Sequence, residues 1–278
     1  RALACAHIEP TPEGGYSARD LGFLLHKHPD HLHRRDLAQG AAHVLYPRVG
    51  EDETTAVLHL DVDPVGLVRG KGDAQGLLDQ YVNDRPYAVN SLLSVALGRV
   101  FGQSLAGKSK DRQNLADRPL PFRLRMVPLA VAGGAELVER LFGPLGYAVE
   151  TRTLDDTGRR AVLDVALSAE VRLADLLSHV QVLIPVMDNA KHYFIDRAEV
   201  EKLLDKGGAW LPQHPEKQMI AWRALRRRRE LVHEALDRLA EALPPEPEAE
   251  AEETPPDSEE MLEQPIRLHD LRLDAVRD

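Results

Sequence analysis

The sequence predicts an α+β fold of two small mixed lobes, with short antiparallel sheets packed by helices, followed by a long basic helix and a disordered acidic linker. Segments of strand composition and segments with apolar residues at helical spacing occur without a regular strand–helix–strand repeat, which argues against a doubly wound sheet. Apolar residues make up 43% of the chain and aromatic residues only 5%, so Leu, Val and Ala must build the core. We place the lobes at residues 1–120 and 121–243.

The first lobe is predicted to contain three strands and one buried helix. Strand composition occurs over 3–8, 42–49 and 54–62, and a hairpin turn at Gly50–Glu53 joins the last two. Apolar residues over 88–105 recur at helical spacing, which indicates a buried helix.

The second lobe is predicted to begin with a strand at 122–127, a Gly-Gly turn and a helix at 135–142. Its remaining elements are strands at 147–150 and 161–167 and helices near 171–183, 197–205 and 216–241. The last of these helices is long, and its middle is strongly basic.

The C-terminal part of the chain carries most of the negative charge. The segment 244–264 is rich in Pro and Glu and cannot collapse into a core, so we interpret it as a linker. Ten acidic residues and no Lys or Arg lie between Glu241 and Gln264, which leaves the rest of the chain with no formal net charge. Local basic patches on the folded part therefore remain candidate partner surfaces. Residues 265–278 begin an amphipathic helix that we interpret as the start of a truncated domain.

Composition also indicates in which cellular compartment the protein is expected. The single cysteine, Cys5, cannot form an internal disulfide, and no run of about 18 apolar residues suggests a membrane span. We expect a cytoplasmic protein without a membrane partner.

Gly102–Ser109 matches the phosphate-binding pattern G-x-x-x-x-G-K-[ST]. That loop cradles phosphates only when a buried strand leads into it and a helix leaves it, whereas here a helix leads in and the exit is polar. We therefore favour a solvated turn and assign Lys108, Lys110 and Arg112 as candidate contacts to RNA phosphates.

Two groups of residues resemble metal ligands. The first group consists of five histidines. A zinc site would need three or four converging ligands, each oriented by a further hydrogen bond, so we favour the interpretation that these histidines lie in a polar turn. Asp61 and Asp63 flank one residue at a strand end, where turn capping is the commoner role. We predict no metal site, but these groups and Lys108 leave open an alternative, a metal- or nucleotide-dependent RNA-processing enzyme domain. The histidines are His26, His28, His31, His33 and His43.

Both tryptophans of the chain lie close to its densest basic run. Arg and Trp are enriched in interface hot spots, so this region is the predicted partner-binding surface. A solvated helix face paired with Glu230 and Glu234 is the alternative, and both interpretations stay open. The predicted partner-binding residues are Trp210, Trp222, Arg223, Arg226, Arg227 and Arg229.

Several ordered segments together resemble the N-terminal region of the bacterial RNA 3′-terminal ribose 2′-O-methyltransferase. The resemblance extends over nearly the whole chain to about residue 240, and it is more specific than any single motif. The segments are DLGFLLHKHP (20–29), AHVLYP (42–47), LDVDPVGLVRG (60–70), YVNDRPY (81–87), SLLSVALGRVFGQSLAGKSK (91–110), RLFGPLGY (140–147), LLSHVQVLIPVMDNAKHYFI (176–195) and VEKLLDKGGAWLPQHPEKQMI (200–220).

The resemblance implies a ligase-activating interaction module. In that family this half binds a bacterial polynucleotide kinase-phosphatase-ligase and switches on its ligase, in a heterotetrameric complex that repairs cleaved RNA such as tRNA. A separate domain binds S-adenosylmethionine and a divalent metal and methylates the terminal ribose 2′-hydroxyl, and residues 265–278 resemble its start. We therefore expect no cofactor and no catalytic residue in this fragment, and both cofactors in the missing C-terminal domain.

Overall fold

The computed structural model describes residues 5–10, 16–37, 40–62, 85–156, 160–188, 197–225 and 228–241. Within these ranges the strands are β1 (Cys5–Pro10), β2 (His33–Leu37), β3 (Gly40–Val49), β4 (Thr54–Val62), β5 (Leu120–Val131), β6 (Ala148–Asp156) and β7 (Ala161–Val171). The helices are α1 (Leu21–Leu25), α2 (Arg85–Val100), α3 (Gly102–Leu105), α4 (Gln113–Ala116), α5 (Gly134–Phe142), α6 (Leu173–Asp188), α7 (Arg197–Gly207), α8 (Lys217–Ala224) and α9 (Arg229–Glu241). Short 3₁₀ turns lie at Ala18–Asp20, Gly143–Leu145 and Leu211–Gln213.

The strands form two three-stranded antiparallel sheets, β2–β3–β4 and β5–β7–β6. β1 pairs antiparallel with β4 on one side and with β5 on the other, and it thereby joins them in the order β2-β3-β4-β1-β5-β7-β6. The α+β class predicted from the sequence is confirmed. The two predicted lobes share this sheet, and the domain boundaries given above remain predictions.

Strand alternation determines which face of the sheet receives the helices. In β5, Phe122, Leu124 and Met126 are buried, whereas Arg123 and Arg125 between them are exposed. Successive side chains of a strand point to opposite faces, so the apolar set lies on one face and the arginines on the other. The buried residues of β4 and β7 join the same core as those of β5.

Helix α6 lies at the centre of the helical layer. Its buried residues extend almost all round the helix, which is typical of a helix packed on several sides. It contacts α2, α3, α7, α8 and β5.

The turn between β5 and α5 requires glycine. Gly133 and Gly134 have φ of 135° and 64°, conformations that other residues rarely adopt. A Cβ on Gly133 would also lie 3.1 Å from the Cβ of Leu137. The Gly-Gly turn predicted from the sequence is therefore confirmed.

Most predicted elements are confirmed, one is corrected, and β2, α1 and α4 were not predicted. Of β2, only His33 belongs to the predicted polar turn. The continuous helix predicted for 216–241 is wrong, because α8 ends at Ala224 and α9 begins at Arg229. The interruption lets both shorter helices bury apolar residues in one core, Ile220 and Ala221 from α8 and Leu231 and Val232 from α9.

Some predictions fall outside the described residues, namely those for Asp63, Arg226, Arg227, the linker 244–264 and the segment 265–278. In the part of the chain that is described, no helix combines the length and apolar character needed to cross a membrane.

Candidate interaction surfaces

The segment that matches the phosphate-binding pattern has its polar groups engaged within the protein. Helix α2 leads into it, and α3 occupies its first half. The Ser104 hydroxyl donates to Leu24 O at 2.8 Å, and the Ser109 hydroxyl donates to Phe23 O at 3.3 Å. The Ser109 N–H donates to the Gln113 side chain at 2.8 Å. A phosphate loop needs these groups to face the nucleotide, so the nucleotide interpretation lacks its structural context.

The three basic residues of this region differ in their surroundings. Lys108 and Lys110 are exposed. Arg112 donates through Nε to Asp20 Oδ1 at 2.8 Å, and its guanidinium lies 4.8 Å from the centre of the Phe23 ring. Arg112 therefore helps to hold α1 against this turn, whereas the two lysines remain proposed phosphate contacts.

We expect Lys108→Ala to change the free energy of unfolding by less than about 0.5 kcal/mol, as exposed substitutions usually do. The comparison is Ser104→Ala, which removes a buried hydrogen bond and should cost about 1 kcal/mol. Thermal melting with and without Mg-ATP measures both. A rise in melting temperature with Mg-ATP that disappears in Lys108→Ala would restore the phosphate-loop interpretation.

The histidines do not converge on one point. The rings of His28 and His31 are 5.1 Å apart and those of His31 and His33 are 6.4 Å apart. His26 Nε2 lies 2.6 Å from Lys108 O, and His33 Nε2 lies 3.0 Å from His28 O. Among the described residues, no group of three or more His, Cys, Asp or Glu has the geometry of a metal site.

Two of the predicted partner-binding residues contact the interior of this chain. Arg223 donates through Nη1 to Val186 O and Ala132 O, at 3.3 and 3.1 Å. Val186 lies in the last turn of α6, where a cation offsets unpaired carbonyls and the helix dipole. Trp210 Nε1 donates to Ser178 Oγ at 3.3 Å. Both side chains therefore stabilise the packing of α8 and its neighbours on α6.

Of the other predicted partner-binding residues, the structure describes Trp222 and Arg229, near the corner between α8 and α9. Trp222 is half-buried against the core, and Arg229 is exposed at the start of α9. Leu225 is fully buried at the corner, and the Arg228 N–H donates to Leu225 O at 3.2 Å. Arg228 therefore lies between the two helices, whereas Arg229 is the first residue of α9.

Trp210 belongs to a chain of perpendicular rings that links α5, α6 and the 3₁₀ turn before α8. Successive ring centres along it are 5.6, 5.7, 5.0 and 5.8 Å apart. We call it the aromatic–histidine stack, and its members in order are Phe142, Tyr147, His179, Trp210 and His214. Burial lowers the pKa of His179 to about 4, so that its ring is neutral, and the Tyr147 hydroxyl is hydrogen-bonded to His179 Nδ1 at 2.8 Å.

A further charged surface, which the sequence did not reveal, lies on the face of β5, β7 and β6 opposite the core. Asp164 receives Arg125 Nε and Nη2 at 2.8 and 2.7 Å and Arg152 Nη2 at 2.9 Å. Arg123 donates to Glu150 at 2.9 Å. We call these five residues the arginine cluster.

Strand register produces this arrangement. Arg125 lies opposite Ala166 on β7, and Arg152 on β6 lies opposite Asp164. The hydrogen bond from Arg125 is the main cause that holds the pKa of Asp164 below its ordinary value, with Arg152 acting in the same direction. The carboxylate therefore stays ionised and fixes both guanidinium groups.

A family model matches residues 9–240, and its description is "RNA repair, ligase-Pnkp-associating, region of Hen1". The chain belongs to this family. The match contains α8, all but the last residue of α9 and the arginine cluster, and it confirms the resemblance found in the sequence. The description is that of a partner-associating region in RNA repair. No curated protein sequence matches it.

Two solved structures have a similar fold. One is a structure of the Pnkp1/Rnl/Hen1 RNA repair complex, with 14% identity and a TM-score of 0.51 over 86% of this chain and 55% of that chain. The other is a structure of the Pnkp1/Rnl/Hen1 complex, with 14% identity and a TM-score of 0.50 over 84% and 53%. At this identity the likeness shows the fold alone. The present chain spans about half the length of these solved chains.

Proposed function

We propose that this chain binds a bacterial polynucleotide kinase-phosphatase-ligase and activates its ligase during RNA repair. The observation that carries the proposal is the family match over residues 9–240, which names a ligase- and Pnkp-associating region. The two solved chains with a similar fold come from structures of the Pnkp1/Rnl/Hen1 complex, and this supports a partner of the same class for the present chain. The parent protein would methylate the 3′-terminal ribose, and we place S-adenosylmethionine and a divalent metal in its methyltransferase domain.

Activation by such a module must come from differential binding. A partner shifts a conformational equilibrium only by binding one state more tightly than another, so the module must prefer the state of the ligase that accepts AMP. The enzyme alternative is not favoured, since the phosphate-loop residues serve internal contacts and the described histidines do not converge.

The corner between α8 and α9 is our proposed contact to the ligase. Arg229 is exposed at the start of α9 and Trp222 is half-buried in α8, while Arg223 bonds α8 to the last turn of α6. An arginine guanidinium matches a carboxylate in a bidentate pair, so we expect an acidic patch on the partner. Arg226 and Arg227, which lie outside the described residues, remain in the proposed set.

Replacement of Arg229 by glutamate tests this surface. We expect the dissociation constant for the purified ligase to rise at least tenfold, which is about 1.4 kcal/mol, and ligase adenylylation to fall in parallel. Titration calorimetry and an adenylylation assay with labelled ATP measure the two effects.

The matched control is Arg99→Glu, which makes the same charge change at an exposed position of α2. It should leave binding within about threefold, or under roughly 1 kcal/mol. If Arg229→Glu also stays within that limit, the interface lies elsewhere. If the unchanged chain does not bind the ligase at all, the proposed function itself is wrong.

A further inference from the structure

The arginines of the arginine cluster are partly exposed and are held in place by ion pairs. The side chains of Arg123, Arg125 and Arg152 are 49%, 46% and 70% exposed, whereas that of Asp164 beneath them is only 9% exposed. The cluster lines an open concavity of about 550 Å³. Arg125 and Arg152 therefore face solvent from positions that a nearly buried carboxylate holds, whereas Arg123 pairs with the exposed Glu150.

Such anchoring favours binding. A side chain that is already ordered loses less conformational freedom when a ligand arrives. Arg123 and Arg152 each use Nη2 in their ion pairs, and a guanidinium has five N–H donors in all. Both arginines line the concavity, so their further N–H donors are near enough to contact an anionic ligand there.

The residues around the concavity indicate which ligand fits. Protein interfaces are centred on apolar and aromatic anchors, and stacked bases also need aromatic side chains. The described lining has neither, and phosphate oxygens are the ligands that arginines bind without such anchors. The lining residues are Arg123, Arg125, Glu150, Thr151, Arg152, Asp164 and Ala166.

Spacing points to a chain of phosphates. Arg123 and Arg125 are two residues apart on one face of β5, a separation of about 7 Å, which is comparable with that of successive phosphates in a nucleic-acid strand. Arg152 lies on β6, two strands from β5, which is roughly 10 Å across the sheet, and it is displaced along the strands by at least two residues from Arg125. The three arginines can therefore contact more than one phosphate. Because Glu150 and Asp164 offset much of the positive charge, the positions of the guanidinium groups contribute more to phosphate binding than long-range attraction does.

We infer that the arginine cluster is a direct contact site for the phosphodiester backbone of RNA. The inference goes beyond the proposed function, which concerns the ligase, and depends on it only for the expectation that RNA is the polyanion present. The site reads no base sequence, because phosphate contacts carry none.

The experiment measures RNA binding by the 278-residue chain without the ligase. Fluorescence anisotropy is recorded with a labelled RNA hairpin and with a labelled uridine homopolymer, between about 50 and 200 mM salt. The variant is Arg123→Gln with Arg152→Gln, which leaves Arg125 paired with Asp164. We expect affinity for RNA to fall about tenfold, and the slope of log K against log salt to decrease by roughly 1.5 to 2.

The control is Arg48→Gln with Arg99→Gln, an equal charge change at exposed positions remote in sequence from the cluster. It should retain the RNA affinity and salt slope of the unchanged chain. The inference is overturned if the unchanged chain does not bind RNA, or if both double variants bind it equally well. It is also overturned if the cluster variant loses the ligase but keeps its RNA affinity, because the surface is then a protein contact.

Discussion

Replacing Phe142 with alanine is expected to lower the free energy of unfolding by about 3–5 kcal/mol, through lost apolar burial and a cavity that cannot fully collapse. Phe142 is 0% exposed in α5, and its ring packs edge-on against Tyr147, with ring centres 5.6 Å apart. For a folded unit of this size, the melting temperature should fall by about 10 °C. Urea unfolding followed by circular dichroism measures the loss.

The control for this change is Phe23→Ala. Phe23 is 45% exposed and lies beneath the Arg112 guanidinium, so its removal should cost about 1 kcal/mol or less. Equal losses for the two variants would show that the aromatic–histidine stack does not anchor the core.

Acid should destabilise the protein through His179. Burial lowers its pKa to about 4 in the folded state, against about 6.5 when it is unfolded. The contribution of His179 to the free energy of unfolding is fully present above pH 6.5. As the pH falls from 6.5 towards 4, His179 binds a proton in the unfolded state but not in the folded state, and this contribution is lost. The total is on the order of 3 kcal/mol.

The measurement is the unfolding free energy between pH 7.5 and 4.5 for the unchanged chain and for His179→Gln. The variant should lose less stability over this window, although some dependence remains because burial also lowers the pKa of His214. His233→Gln, at an exposed position of α9, should behave as the unchanged chain does. Parallel pH curves for His179→Gln and the unchanged chain would contradict the assignment.

Interior strands were more predictable from the sequence than edge strands. β4 begins and ends at the predicted residues, because an apolar run and the turn before it define the strand. β2 has the sequence HRRDL and lies at one edge of the sheet, where a strand needs little apolar surface. β6, at the other edge, continues to Asp156, beyond the predicted end at 150.

The arginine cluster was not predictable, because part of it lies on the edge strand β6. Arg152 lies in the unpredicted part of β6, so nothing in the sequence placed it beside Arg125 and Asp164. The alternation Arg123-Leu124-Arg125 was the available signal, and it indicates only that two arginines share a face. The helix interruption after Ala224 was equally hidden, because Ala221, Leu225, Val232 and Ala235 continue one apolar stripe through the corner.

The central position of β1 has a consequence for synthesis of the protein. Cys5 lies opposite His59 of β4 and also opposite Val127 of β5, so its two neighbours leave the ribosome at different times. At 5–20 residues per second, β5 follows β4 by roughly 3 to 14 s. During that interval, one side of β1 has backbone groups without a neighbouring strand, a template for pairing with another chain. The order of synthesis therefore leaves a strand from the middle of the finished sheet exposed on one side while the protein is being made.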